Sequence, residues 1–512
     1  MHRLEPARLH ELPADVGRPT YNRTALQAGI VHLGIGAFVR GHLAALNEDA
    51  IESTGDLRFG IVGVSLRSAD TRDALAPQAG LYALALRDAA PDGLARERVR
   101  VIGNLLSVMV APEHPEAVVE RIAHEHTRIV SLTITEKGYC HDPASGALLF
   151  EHPDIVHDFD DAERPCSAIG LIVRGLARRY VQKRAPVTLM SLDNLASNGD
   201  LLRSLVLAFA SRLDADLAGW ITSACTFPNS MVDRIVPRTA AQDVEAVSNR
   251  LGLADAWPVV AEPALEWAVE DRFAAEHPRW DAGGARFVQS AREFERLKLR
   301  VVNAGHSALA YLAASAGVRT VDEAMAMPFM RSYLQRMVDE EIGPTIGLVP
   351  GVDLPTFSAR MLQRFENPAL RHLTHQIAMD GSHKVPQRLL DSIRERLAQS
   401  LPFPLLAFAV AGWLRYLEGV DERGNAYPIK DPLAAAMVQR RAPAEAADDL
   451  DARTHDSSCR RVMAALSFAP VFGDLAQSPA FVEAVLRQVS LLRNFGVRAS
   501  LAALSGPARE TP

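Results

Sequence analysis

The hydrophobic pattern divides the chain into two halves of different character. In the first half, short apolar runs alternate with helical spacing. IVHLGIG at 30–36 reads as a strand entering a glycine turn, and 40–51 continues as a helix. GIVGVSL at 60–66, IVSLTIT at 129–135 and VTLMSL at 187–192 are further strands, with helical spacing between them, as at 168–180. Continuous apolar runs indicate strands covered on both faces. Strands alternating with helices predict an α/β domain with a doubly wound, mainly parallel sheet. From about residue 294 strand signals nearly vanish. Segments 298–314, 328–341, 387–398, 405–417 and 481–494 are helical in spacing, with Pro and Gly mainly between them. A mostly α-helical second domain follows. The expected division is 1–290 and 291–512, with the pattern interrupted near 278–284. No period of 20–50 residues recurs, which argues against a solenoid. The ends, up to about Pro19 and after Gly506, read as frayed.

Composition narrows the class. The 512 residues are 48% hydrophobic and 23% charged, enough for a large core and at least two domains. A net charge of −7 gives no sign of a nucleic-acid groove or a polybasic membrane patch. Cys140, Cys166, Cys225 and Cys459 are isolated, which points to a reducing, cytoplasmic setting. No apolar segment follows the N-terminal MHRLEP, so no signal peptide is expected. The apolar run 401–414 contains Pro402 and Pro404 and falls short of the ~20 residues that span a bilayer. It reads as a buried core helix.

The candidate chemistry begins with KLRVVNAGH at 298–306. Lys298 offers a base or acid, Asn303 an amide donor and His306 an imidazole. Asn303 and His306 share a helix face at i, i+3. At α-helical spacing Lys298 lies roughly 80° around from His306, a gap its stem can close. Three such groups around one oxygen suit metal-free alcohol oxidation. They equally suit a solvated lysine, a C-cap asparagine and a histidine at the core edge. In the glycine turn, Gly34, Gly36, Ala37 and Phe38 are candidates for contacting a dinucleotide pyrophosphate. After the second strand, Asp70 is placed to bind the adenosine ribose of NAD, whereas Arg67 suits adenine stacking or a 2′-phosphate. Either also suits a solvated loop charge. Thr135 and Glu136 lie at a strand end facing the expected ligand crevice. Asn194 either donates a second amide to the reacting oxygen or, with Asp193, starts a turn or caps a helix.

Together these motifs resemble the mannitol dehydrogenase family of polyol-specific long-chain dehydrogenases. The matching stretches are GIGAFVR at 34–40 with His42, SLTITEKGY at 131–139, Asp193-Asn194, TFPNSMVDRIVP at 226–237, KLRVVNAGH at 298–306 and RFENPALRHLTHQIAMDGSHKVPQR at 364–388. The segments 377–388 and 419–426 are most similar to the D-mannonate oxidoreductase (fructuronate reductase) branch. The resemblance implies a Rossmann-type dinucleotide-binding domain, a helical substrate-binding domain, NAD or NADP as cofactor, and no metal. No HExxH or CxxC motif is present.

Carried over residue by residue, the resemblance makes Lys298 the general acid/base. Asn194 and Asn303 become the amides holding the reacting oxygen, and His306 a substrate-positioning imidazole. Asp233 and Lys384 become substrate-binding residues, and Glu295 a proton relay to solvent. Many relatives have His where this chain has Val39, and Trp where it has His375.

Oxidation of a secondary alcohol needs a base for the hydroxyl proton, and burial that disfavours an ammonium suits a lysine to this work. The expected reaction joins a sugar alcohol or aldonate to its ketose or ketouronate. D-mannonate/D-fructuronate leads, because Arg371, Lys384 and Arg388 offer cations for a carboxylate. D-mannitol 2-dehydrogenase and D-arabinitol dehydrogenase activities are the alternatives. A remote one is a nucleotide-binding regulatory protein that has lost the chemistry. Small-molecule partners only are expected, with no nucleic acid or membrane, for a monomer or small homo-oligomer.

Overall fold

The computed structural model describes residues 1–89, 95–143, 145–437 and 455–505. It divides into two compact units, Met1–Glu295 and Arg296–Pro512.

The first unit is built on a five-stranded parallel sheet in the order β5-β2-β1-β6-β7. Its strands are β1 (Ile30–Leu33), β2 (Ile61–Ser65), β5 (Leu105–Val110), β6 (Ile129–Leu132) and β7 (Thr188–Ser191). Every residue of β1, β6 and β7 is buried, as a sheet covered on both faces requires. Ile30 pairs in register with Ile61 on one side and Ile129 on the other, so β1, β2 and β6 end at the same level. The chain runs outward from β1 through β2 to β5 and resumes on the other side with β6. A crevice beyond the carboxyl ends of β1 and β6 follows from that reversal. Within β1, His32 is buried and bonded to Ser131 Oγ (2.8 Å) and Thr133 Oγ1 (2.9 Å). Burial drives its pKa down to about 3, so it is a neutral structural group.

Two small sheets lie outside the pattern expected from the sequence. β3 (Tyr82–Ala89) and β4 (Ala95–Ile102) are antiparallel, with β9 (Val259–Ala261) parallel to β3. β8 (Ser230–Asp233), β10 (Glu266–Glu270) and β11 (Arg286–Val288) form the other. Charges obscure β3 and β4 in the sequence, yet Arg87 and Glu97 are directly opposed across the pair and form an ion pair at 2.6 Å. The interruption at 278–284 stays inside this unit, where a 3₁₀ turn, Trp280–Gly283, leads into β11.

The expectation of a frayed N-terminus is corrected. Leu4, Leu12 and Val16 are buried with Leu81, Val99, Val101 and Leu251. Leu4 N donates to Ala254 O (2.9 Å), and Val101 N to Gly17 O (2.8 Å). Leu4, Leu12 and Val16 are three isolated positions among polar ones and Pro6 and Pro13, too sparse to register as an element. The residues after Gly506 lie outside the described ones.

The second unit is helical among its described residues, apart from isolated bridges such as Thr320↔Leu373. The apolar run forms the helix Pro404–Tyr416, buried from Leu405 to Leu414. No described helix is long and apolar enough to cross a membrane. Among the described residues three π-helical turns interrupt this unit, at Lys298–Asn303, Met337–Ile342 and Pro386–Leu390. Such turns are rare and concentrate at functional positions.

Candidate active site

In the first unit a cleft of about 540 Å³ opens at the carboxyl ends of β1, β2 and β6. Gly34, Gly36, Arg67 and Thr135 line it, as does Ser167 at the start of the helix Ala168–Val181. Gly34 has φ +90°, and a Cβ there would stand 2.0 Å from Thr133 O, so a side chain is excluded on both counts. A cleft of this volume, floored by backbone, suits a dinucleotide. The helix after Gly36 is one short turn, Ala37–Gly41, which breaks at His42 before Leu43–Thr54 begins.

Other expected cofactor residues flank the lining ones. Asp70 begins the helix Asp70–Leu75, accepts a hydrogen bond from Ser68 Oγ (2.9 Å), and is not among the lining residues. Ala37, Phe38 and Glu136 are also not among them. Phe38 stacks on His42 at 5.0 Å, and Val39 is buried in the core. Periodicity missed Ser167, although a serine just before a long helical run is a recognisable N-cap signal.

Thr135 has φ 63° and ψ 160°, a conformation costly for a residue with a side chain. Asp193 holds it there. Its carboxylate accepts from Ile134 N (2.9 Å), Thr135 N (3.0 Å) and the Tyr139 hydroxyl (2.7 Å). Burial raises the pKa of Asp193, and these three donors pull it back. Asn194 follows, exposed beyond β7, and Asp233 ends β8 half-buried.

Glu295 is half-buried, and its Oε2 accepts from Ser197 N (3.2 Å). It lines a second, polar cleft of about 420 Å³ with Asp200, Glu270 and Glu293. Two further groups bring metal-ligand types within 4.8 Å, Cys140–His152–Asp154 and His157–Asp158–Cys166. Here they serve local structure. His152 Nδ1 accepts from Asp154 N, and Asp158 accepts from Cys166 N, Ser167 N and Ser167 Oγ.

In the second unit Lys298, Asn303 and His306 are all buried. They lie along one continuous helical path, but Lys298–Asn303 is a π turn, so the rotation expected from α-helical spacing does not hold across it. The Asn303 amide Nδ2 is buried with no hydrogen-bond partner among the described residues. His306 stacks on Phe365 at 3.9 Å. Lys384 folds back from the short helix Gly381–Val385 and donates to Met379 O (2.6 Å) and Ile377 O (3.3 Å). Burial, then the neighbouring Arg388, lowers its pKa to about 8. Arg371 is exposed, at φ 47°. His375 packs on Tyr427 at 4.8 Å.

Residues 28–282 match the mannitol dehydrogenase Rossmann domain, and residues 291–492 match the mannitol dehydrogenase C-terminal domain. The chain is 39% identical over 498 residues to the D-mannonate oxidoreductase of Escherichia coli (strain K12), covering 96% of this chain and 98% of that protein. It is 38% identical over 429 residues to a mannitol 2-dehydrogenase of Pyricularia oryzae, covering 82% and 84%. The solved ternary complex of Pseudomonas fluorescens mannitol 2-dehydrogenase with NAD and D-mannitol aligns with a TM-score of 0.83 at 34% identity, over 98% of this chain and 99% of that one.

Proposed function

The chain belongs to the mannitol dehydrogenase family of oxidoreductases acting on CH–OH groups, and on that premise we propose that Lys298 is the acid/base of an NAD-dependent polyol or aldonate dehydrogenase. One observation carries the reading. A buried amide donor with no partner among the described residues, Asn303 Nδ2, lies five residues from a buried lysine on one helical path. A buried donor that the protein leaves open is met by water, a ligand or a reacting group, and beside a buried lysine it suits an oxygen that gains charge.

In oxidation the neutral Lys298 amine takes the hydroxyl proton, and in reduction its ammonium returns it. Asn303 donates to the oxygen as its charge develops, and a preorganised donor of this kind is worth about 2.7–4 kcal/mol. His306, oriented by Phe365, positions the substrate. The family resemblance makes Asn194 a second oxygen-holding amide and Asp233 a substrate-binding residue. Glu295 passes the proton onward to solvent. Gly34, Gly36, Arg67 and Thr135 would hold a nicotinamide cofactor in the glycine-floored cleft, and it would supply the hydride acceptor for the carbinol carbon in oxidation and the hydride donor in reduction. The NAD-bound relative supports NAD, while the place of Arg67 on the cleft wall, with Asp70 off it, keeps NADP as a competitor.

For substrate, D-mannonate/D-fructuronate ranks first. Lys384 supplies a cation for a carboxylate, and the D-mannonate oxidoreductase aligns over 96% of the chain. D-mannitol/D-fructose is the second reading, favoured by the solved relative that holds D-mannitol. D-arabinitol follows. The test is a panel of aldonates and sugar alcohols with each nicotinamide cofactor, read by absorbance of the reduced cofactor. Activity on mannitol with none on mannonate would reverse the ranking. Activity on neither class would remove the reading.

A further inference from the structure

We propose that Arg388 is a positioning residue for this reaction, gripping the Asn303 backbone so that the Asn303 amide faces the reacting oxygen. The inference rests on the reading of Asn303 as an oxygen-holding amide. Arg388 lies on the π turn Pro386–Leu390, which packs against the π turn Lys298–Asn303. Its Nη1 donates to Asn303 O (3.3 Å) and to Ser307 Oγ (3.0 Å). The two acceptors are four residues apart, so one guanidinium spans the junction where π bonding hands over to the α-helix Ala304–Ser315. At such a junction the bonding step changes from i+5 to i+4, and the regular ladder can leave a carbonyl short of a donor. Arg388 supplies one from outside the helix.

Arg388 is half-buried, its burial lowers its pKa to about 10, and among the described residues no carboxylate pairs with it. The guanidinium is therefore held at this junction by the Asn303 carbonyl and the Ser307 hydroxyl, and its Nε is buried with no partner among the described residues. The Asn303 side chain, for its part, has no Nδ2 bond to fix its direction, so its aim depends on the backbone that Arg388 holds.

The test is a double-mutant cycle on the full-length enzyme with the substrate found active. Arg388→Met should lower kcat by about 10–100-fold, a share of the 10²–10³ lost when an oxyanion donor is removed outright. Cofactor KM should be unchanged, and the primary isotope effect on substrate deuterated at the carbinol carbon should rise. In an Asn303→Ala background, Arg388→Met should add little further loss, because residues acting as one unit are non-additive. Losses that multiply would overturn the proposal, as would a wild-type kcat in Arg388→Met beside an impaired Asn303→Ala. A wild-type kcat in Asn303→Ala would instead sink the reading of Asn303, and this proposal with it. Should Arg388→Met fail to fold, Arg388→Lys enters the same cycle, since an ammonium keeps the charge but not the planar guanidinium that sets the direction of the Nη1 donor.

Discussion

Around the cleft of the first unit, polar groups are tied down. Asp193 takes three donors from the strained turn at Thr135, and Thr133 Oγ1 donates to Gly34 O at 2.8 Å. In the helical unit, the buried Asn303 amide and the Arg388 Nε have no partners among the described residues. The first region holds a shape made of backbone. The second holds unmet hydrogen-bonding capacity. Binding a cofactor needs the former, because its pyrophosphate and ribose do not change during turnover. Stabilising an oxygen that gains charge needs the latter, because a donor already satisfied gives little to a transition state.

The largest effect should come from the helical unit. Lys298→Ala is expected to lower kcat by at least the ~10²–10⁴ of general acid–base catalysis, and to leave binding of the reduced cofactor, followed by its fluorescence, unchanged. Near wild-type turnover across about pH 6–10 would remove the lysine mechanism and the contrast built on it.

Next is substrate choice. Lys384→Met should weaken D-fructuronate by about 10–100-fold in KM, as loss of a charged hydrogen bond predicts, and D-fructose far less. Equal losses would mean the lysine holds a hydroxyl common to both. Burial holds Lys384 near a pKa of about 8, so it is charged below that pH and neutral above. The KM for the acid substrate should therefore rise as pH passes about 8, while that for a polyol stays level.

The first unit should answer in stability and cofactor binding. Asp193→Asn exchanges a carboxylate for an amide at a position where three donors converge, leaving at least one unmet at a cost of about 1–3 kcal/mol. Thermal midpoint should fall and the NAD KM rise, because the turn at Thr135 lines the cleft. A normal cofactor KM in a destabilised protein would show that Asp193 serves the fold alone.

How much of this was legible in the sequence also differs between the regions. The strands bearing Ile30, Ile61, Ile129 and Thr188 showed as apolar runs, and Gly34 showed as a turn residue. β3 and β4 did not, because their solvent faces carry charge, and a pairing such as Arg87 with Glu97 exists only across strands. Lys298, Asn303 and His306 were conspicuous as residue types. Their rotation was not, since a π turn leaves no mark in hydrophobic spacing. The hold of Asp193 on Thr135 joins positions 58 apart in the chain, and no local pattern carries such a contact.

The smallest expected effect compares a buried carboxylate from each region. Glu48 in the first unit accepts from Gly103 N (3.1 Å) and Asn104 N (3.0 Å), and Glu341 in the second from Leu405 N and Leu406 N (2.8 Å each). Burial pushes both up to about 7 against the backbone donors that pull them down. The sign follows from proton counting. Between the ordinary value of 4.5 and about 7, the folded chain binds more protons than the unfolded one. The contribution of these two groups to stability therefore falls as pH rises through that window and levels off above it. Glu341→Gln removes one of the two contributions, so relative to the unmutated protein the variant should gain in thermal midpoint as pH rises from about 5 to 7.5, by a few degrees for a unit of this size. Glu48→Gln should show a similar relative gain. No such gain in either variant would mean that these carboxylates are ionised throughout, held by their backbone donors rather than neutralised by burial. The two regions would then share one way of keeping a buried charge.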